Sequence, residues 1–206
     1  KIGSCKHSDI STFSLHPLKT ITTGEGGIVT SNSKNLDKKI KSFRSLGIKK
    51  NNNYHWKYNV SLIGFNFRLN EFQCALGISQ LNKIKSFLSF RKKIALKYNQ
   101  ELKKISSLVI PEYENKNKSA YHLYLISIKN FNLQKKNKFI KFMKSKGIFV
   151  QYHYIPIYKF KIFKDKYFGN NSEIYYNTSL SIPIYFGLKL KDQNYIIKLI
   201  KLFFKN

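Results

Sequence analysis

The sequence predicts an α/β fold of layered strands and helices, and three observations carry that reading. Short segments rich in β-branched and aromatic residues alternate along the chain with segments of helical apolar spacing. Glycine and proline punctuate the joins between them. Finally, 42% of the 206 residues are hydrophobic and 16% aromatic, enough to bury a core in spite of a formal net charge of +28. No internal repeat is present.

Residues 8–15 (DISTFSLH) alternate and are rich in Ser, Thr and Phe, the pattern of a strand. Pro17, Gly24, Gly26 and Gly27 mark residues 17–27 as a loop or hairpin, and IVTSN after them is a short strand. Over 33–45, Leu36, Ile40 and Phe43 recur at helical spacing, with Gly47 as the stop. Residues 48–60, with Asn51, Asn52 and Asn53, read as a polar loop. The longest helical pattern runs over 69–103, with Phe72, Leu76, Ile84, Phe87 and Leu88 as its apolar face and Gly77 and the stretch around Asn82 as points of bending. Pro111 and the polar run 112–119 end this unit. A strand over 121–128, a helix over 134–146 closed by Gly147, and a strand over 148–154 come next. Helices near 172–180 and 190–204 complete the chain. A domain boundary is expected inside the long helix near 82–90, dividing the chain into 1–85 and 86–206.

The charge comes from 38 Lys and Arg against 10 Asp and Glu. Such an excess suits an anionic ligand, a membrane surface or nucleic acid. Here the surplus is lysine spread from end to end, with Asn, Ile, Phe and Tyr abundant beside it, as an AT-rich coding bias produces. Arginine, the better residue for bidentate phosphate contacts, occurs only at Arg44, Arg68 and Arg91. No RNA-recognition, zinc-finger or helix-turn-helix signature is present, so no nucleic-acid partner is expected. Cys5 and Cys74 form no metal-ligand spacing, so no metal is expected, and reduced, cytoplasmic thiols are the default. No uncharged apolar run is long enough to span a bilayer, and nothing resembles a signal peptide. The chain begins with Lys1 and has Met143 as its one methionine, so it reads as either a processed chain or, the favoured reading, a fragment that starts inside a domain.

The stretch that carries chemistry is 13–27, FSLHPLKTITTGEGG. It delivers Ser14 and, five residues on, Lys19 into a loop followed by glycines. A serine hydroxyl bonds a phosphate oxygen, and a desolvated lysine amine condenses with an aldehyde. Glycines let backbone lie close to a flat ligand. Spacing alone does not single out Lys19 among so many lysines, most of which are solvated charges.

This block resembles the cofactor-lysine signature of the DegT/DnrJ/EryC1/StrS family of sugar aminotransferases, fold type I pyridoxal-phosphate enzymes. The blocks GSCKHSDISTFSLHP, IGFNFRLNEFQCALGISQL, SAYHLYLI, GIFVQYHYIPIY and LSIPIYFGL are similar to family blocks in family order, so the resemblance covers essentially the whole chain. Within the family it is most similar to enzymes of pseudaminic acid biosynthesis. The resemblance implies the C-terminal part of a fold type I transferase, with 1–85 ending the large cofactor-binding domain and 86–206 forming the small C-terminal α/β domain. It implies pyridoxal 5′-phosphate carried on Lys19, with Ser14 and Asn66 on its phosphate, Asn66 reaching the cofactor of the neighbouring subunit. Arg68 faces substrate or the subunit interface, and His153 and Tyr154 approach the sugar nucleotide. His16 is a positioning residue. The implied reaction transfers an amino group, from L-glutamate, to C4 of a UDP-linked 4-keto-6-deoxy-N-acetyl-hexosamine in a cytoplasmic homodimer with shared active sites.

Three departures from the family pattern bear on substrate contacts: Leu46 stands where RSHG carries histidine, and Phe65 and Phe67 replace the two tyrosines of GYNYR. The pyridinium-pairing aspartate, the stacking ring and the phosphate loop have no counterpart here, so the fragment alone is expected to be inactive. Other readings stay open at this point. The sugar could be 3-keto, or dTDP- or GDP-linked. Lys19 argues against a sugar 3-dehydratase, which carries histidine there. A non-enzymatic polyanion binder and a truncated gene product are the remaining classes.

Overall fold

A computed structural model describes residues 1–50, 53–54, 56–111, 119–163 and 169–205. The chain divides into two compact units, Lys1–Ile84 and Lys85–Asn206.

In the first unit, β1 (Ser11–Ser14) and β2 (Gly27–Thr30) form an antiparallel hairpin, with Ser11 opposite Thr30 and Ser14 opposite Gly27. The strand expected over 8–15 is thus confined to its centre. Helix α1 (Lys34–Arg44) starts at Ser33, whose side chain accepts the Leu36 N–H, and carries an Asp37–Lys41 pair one turn apart. The polar loop expected over 48–60 instead contains a second antiparallel hairpin of β3 (Ile48–Lys50) and β4 (Tyr58–Val60). Asn51 and Asn52 lie outside the described residues. These strands expose most of their side chains, so the alternation that marks a half-buried strand is missing.

Helix α2 (Glu71–Leu102) opens with a reciprocal cap, in which Asn70 Oδ1 accepts the Gln73 N–H at 2.9 Å and Gln73 Oε1 accepts the Asn70 N–H at 3.1 Å. Its buried stripe is Arg91, Ile94, Ala95, Tyr98 and Leu102. The apolar face expected at its start is not buried: Phe72 is 88% and Leu76 40% exposed, and Ile84, Phe87 and Leu88 are half-buried. The helix continues unbroken through Gly77 and Asn82.

The second unit is built on a three-stranded antiparallel sheet, β5 (Leu108–Val109), β6 (Tyr124–Ile128) and β7 (Ser179–Ile182), with β6 in the middle. Helices α3 (Leu133–Ser145), α4 (Asn170–Thr178) and α5 (Leu190–Lys205) accompany it. Asn132 caps α3 through the Lys135 N–H, and Gly147 turns the chain at its end with φ +78°. The core joins Tyr98 and Leu102 of α2, Tyr124, Ile126 and Ile128 of β6, Phe139 and Met143 of α3, Leu180 of β7, and Ile196 and Ile200 of α5. The strand expected over 148–154 is reduced to one bridge, Gln151 to Ser181. The helix expected to reach 180 ends at Thr178, because Ser179–Ile182 pair with β6 and are buried on every residue. Residues 112–118 of the expected polar run lie outside the described residues.

Candidate active site

The connection between β1 and β2, residues 15–26, is held by its own backbone and threonines. Leu15, buried, donates its N–H to Gly26 O and receives the Thr23 N–H at its carbonyl. Thr22 Oγ1 donates to the same Leu15 carbonyl at 2.9 Å and accepts the Gly24 N–H. Thr23, 3% exposed, donates to Glu25 O at 2.7 Å. The helix start adds one tie, from Gln73 Nε2 to Glu25 O at 3.1 Å. Sequence reasoning does not single out these threonines or Gln73. The signal for them is the run of Ser/Thr-type residues ahead of glycine, the pattern of side chains that close turns on the backbone.

Ser14, at the end of β1, and Lys19, within the connection, are both exposed. Ser14 Oγ accepts the His16 N–H at 3.4 Å, which leaves its O–H free to donate. Lys19 is fixed through its backbone, N–H to His16 O at 2.9 Å, and its amine makes no ion pair or hydrogen bond among the described residues. His16 is oriented by the Leu18 N–H on Nδ1 at 3.2 Å and by Glu25 Oε1 3.7 Å from Nε2. The partial desolvation expected of Lys19 is therefore not supplied by the described part of this chain.

Residues 65–67 run antiparallel to 43–46, with Phe65 N–H on Phe43 O, Phe67 N–H on Arg44 O and Leu46 N–H on Phe65 O. This pairing presents Asn66, opposite Ser45, with its side chain exposed. Phe65 and Phe67 stack at 5.1 Å, and Phe43 meets Phe65 edge-on at 5.3 Å. Arg68 lines a groove of about 760 Å³ together with Arg44, Phe13, Phe67 and Gln73. Ser14, Lys19 and Asn66 are not in its described lining.

His153 and Tyr154 belong to the second unit. His153 is 9% exposed, and its Nε2 lies 2.7 Å from Ser181 Oγ. Burial pushes its imidazolium below the ordinary histidine range, so the ring is neutral at pH 7. His153 thus faces Ser181, whereas Tyr154, 72% exposed, lines a cleft of about 460 Å³. One wall of the cleft is Tyr154 to Ile157 and the other is Asn171, Ser172 and Tyr175. Tyr158 and Lys159 tie the walls together, donating to Glu173 Oε1 at 2.9 Å and Oε2 at 2.7 Å. Among the described residues no group of three or more metal-ligating side chains occurs, and no helix is long and apolar enough to cross a membrane.

The solved structure of Helicobacter pylori PseC, an aminotransferase involved in the biosynthesis of pseudoaminic acid, matches with a TM-score of 0.91 at 33% identity, over 96% of this chain and 54% of that one. A sugar aminotransferase from Streptococcus pneumoniae in its PMP form shares the fold at 22% identity, with a TM-score of 0.89. The UDP-4-amino-4,6-dideoxy-N-acetyl-β-L-altrosamine transaminases of Campylobacter jejuni and Helicobacter pylori are 40% and 35% identical over 95% and 94% of the chain. The chain spans about half the length of these curated relatives, 52% in both cases. The model of the DegT/DnrJ/EryC1/StrS aminotransferase family matches residues 1–201, and the chain belongs to that family.

Proposed function

We propose that the chain carries the cofactor lysine of a pyridoxal-phosphate-dependent nucleotide-sugar aminotransferase. In the whole protein it transfers an amino group, from L-glutamate, to C4 of a UDP-linked 4-keto-6-deoxy-N-acetyl-hexosamine. The observation that carries this reading is the family match over residues 1–201, which takes in the β1–β2 connection with Ser14 at its start and an unpaired Lys19 within it. The relatives named as UDP-4-amino-4,6-dideoxy-N-acetyl-β-L-altrosamine transaminases support the sugar and its nucleotide.

The residues present fit the cofactor. Ser14 keeps a free O–H for a phosphate oxygen, and the Lys19 amine is unpaired among the described residues. A side-chain atom built on Gly24 meets nothing within 4 Å, so the backbone at Gly24 is open to approach. When bound, the cofactor supplies the electron sink on which transamination depends. Lys19 would hold it covalently, and the Lys19 amine would serve as the base and then the acid that moves the proton in transamination. Ser14 donates to the phosphate, and Asn66 does so for the cofactor of a second subunit in a homodimer with shared sites. Arg68 and Tyr154 bind the sugar nucleotide, and His153 orients that segment. In the whole protein the rest of the large domain, the second subunit and the bound ligands would exclude water from Lys19. The first unit belongs to the cofactor-binding domain and the second is the small α/β domain. The location is the cytoplasm.

Replacing Lys19 by Ala is expected to abolish the visible absorbance of covalently bound cofactor in the whole protein, while Lys38→Ala leaves it intact. Persistence of the band in Lys19→Ala refutes the assignment.

A further inference from the structure

Lys136 on α3 is 1% exposed, yet it makes no ion pair among the described residues. Its Nζ donates to the carbonyl of Tyr176 and lies 4.3 Å from the centre of the Tyr176 ring and 5.2 Å from that of Tyr152. The two rings stand 6.0 Å apart at 83°, so the ammonium sits in a corner made by their faces. The acid on the neighbouring helix, Glu173, is already occupied by Tyr158 and Lys159. Burial lowers the Lys136 ammonium to about 8, so the position costs the folded chain something that an apolar side chain would not.

What a cation offers there is direction. An ammonium fixes two ring faces and a carbonyl at once, whereas a methyl or thioether only fills the space. Neither ring is in the described lining of the cleft, but each is carried by a segment that forms one of its walls. Tyr152 stands two residues before Tyr154, on one wall, and Tyr176 follows Tyr175, on the other. Ser181 grips His153, between Tyr152 and Tyr154, through a different contact. We propose that Lys136 is a positioning residue that sets the spacing of the two walls of the Tyr154–Tyr175 cleft, and through it the binding of the nucleotide end of the substrate. The proposal rests on the reading of Tyr154 as a substrate-binding residue.

The test measures calorimetric binding of UDP to the whole protein, well below its melting temperature, with Lys136→Met, Tyr154→Ala and the double variant. Methionine keeps the length and packing of the stem and removes the amine. Lys136→Met is expected to weaken UDP binding by about tenfold. KM for the keto-sugar rises with it while KM for the amino donor is unchanged. The double variant falls short of the product of the two single effects, because Lys136 acts through the wall that carries Tyr154. Should Tyr154→Ala lose UDP affinity while Lys136→Met binds UDP like the wild type, the positioning role is overturned and the cleft stays assigned. Should Tyr154→Ala itself bind UDP normally, the substrate reading of Tyr154 falls and the role of Lys136 falls with it. If Lys136→Met does not fold, Tyr152→Leu replaces it, at a position 43% exposed, with the same two outcomes.

Discussion

At the scale of single residues, the chemistry-bearing groups and the structural ones differ in how they declare themselves. Arg91 is 7% exposed, and its Nη1 donates to three carbonyls, of Tyr121 at 3.1 Å, His122 at 3.2 Å and Ile184 at 3.0 Å. Those carbonyls lie in two segments far apart in sequence, so the guanidinium ties α2 to the entry of β6 and the exit of β7. Replacing Arg91 by Met removes this shared donor from all three carbonyls. We expect a loss of about 3 kcal/mol, read as a fall in melting temperature of about 10 °C, and no change in cofactor absorbance in the whole protein. Nothing in the sequence marks Arg91, because a lone arginine in a lysine-rich helix looks like a solvated charge. The same holds for Lys136, whose burial depends on Tyr152 and Tyr176 far along the chain. Ser14 and Lys19 are proposed because both fall in one continuous block, 13–27, that resembles a family signature, and not because of their spacing. What sequence does not convey is that both are exposed, since solvent exposure is decided by whatever else packs on the loop.

At the scale of elements, legibility follows the reach of the signal. Helices α1 and α3 are readable because their caps, Ser33 and Asn132, and their stops, Gly47 and Gly147, lie within a few residues of their ends. Strands β3 and β4 escape sequence reasoning because exposed faces carry no apolar alternation, and β5 because two residues hold no period. Over 148–154, Ile148, Phe149, Val150 and Tyr152 have strand composition, but pairing needs a free partner edge, and only Gln151 finds one, at Ser181. The turn from α1 into β3 shows how tightly such elements join. A Cβ added to Gly47, at φ +69°, would stand 1.8 Å from Leu62 O, and one on Gly64 would stand 2.5 Å from Gly47 N. Gly147, at φ +78°, has nothing within 4 Å of such an atom. Gly47→Ala therefore combines positive-φ strain with a backbone clash and is expected to cost about 3 kcal/mol, against about 1 kcal/mol for Gly147→Ala, in urea unfolding. Equal losses at the two glycines would mean that the close approach at Leu62 is relaxed in solution. If Asn66 holds the cofactor as proposed, the Gly47 variant also loosens cofactor binding in the whole protein, because the pairing of 65–67 with 43–46 presents Asn66.

At the scale of the molecule, the two units are unequally packed, each taken by itself. Among the described residues Leu15 is the one large apolar side chain buried in the first unit, while Phe13, Ile28, Val29, Phe43, Phe65 and Phe67 are exposed there. The second unit encloses a continuous core across β6, β7, α3 and α5. Buried apolar area is the main favourable term in folding, so local opening of β1–β4 costs less free energy than opening of β6 and β7. Hydrogen exchange on the 206-residue chain should therefore find the amides of 124–128, 180–182 and 196–200 slower by at least about a hundredfold than those of 11–14, 27–30, 48–50 and 58–60. Uniform protection across both sets would show a single cooperative unit and remove the basis for treating the first unit as incompletely covered. The exposed aromatic and aliphatic side chains around Arg68 are what a surface expecting a cover presents, and the proposed shared site requires one. In the whole protein, protection of β1 and β2 should rise as subunits associate and vary with protein concentration, while protection of β6 and β7 stays constant. A first unit that remains fast-exchanging in the assembled protein would mean that association does not cover β1 and β2, and the shared-site reading would lose its support.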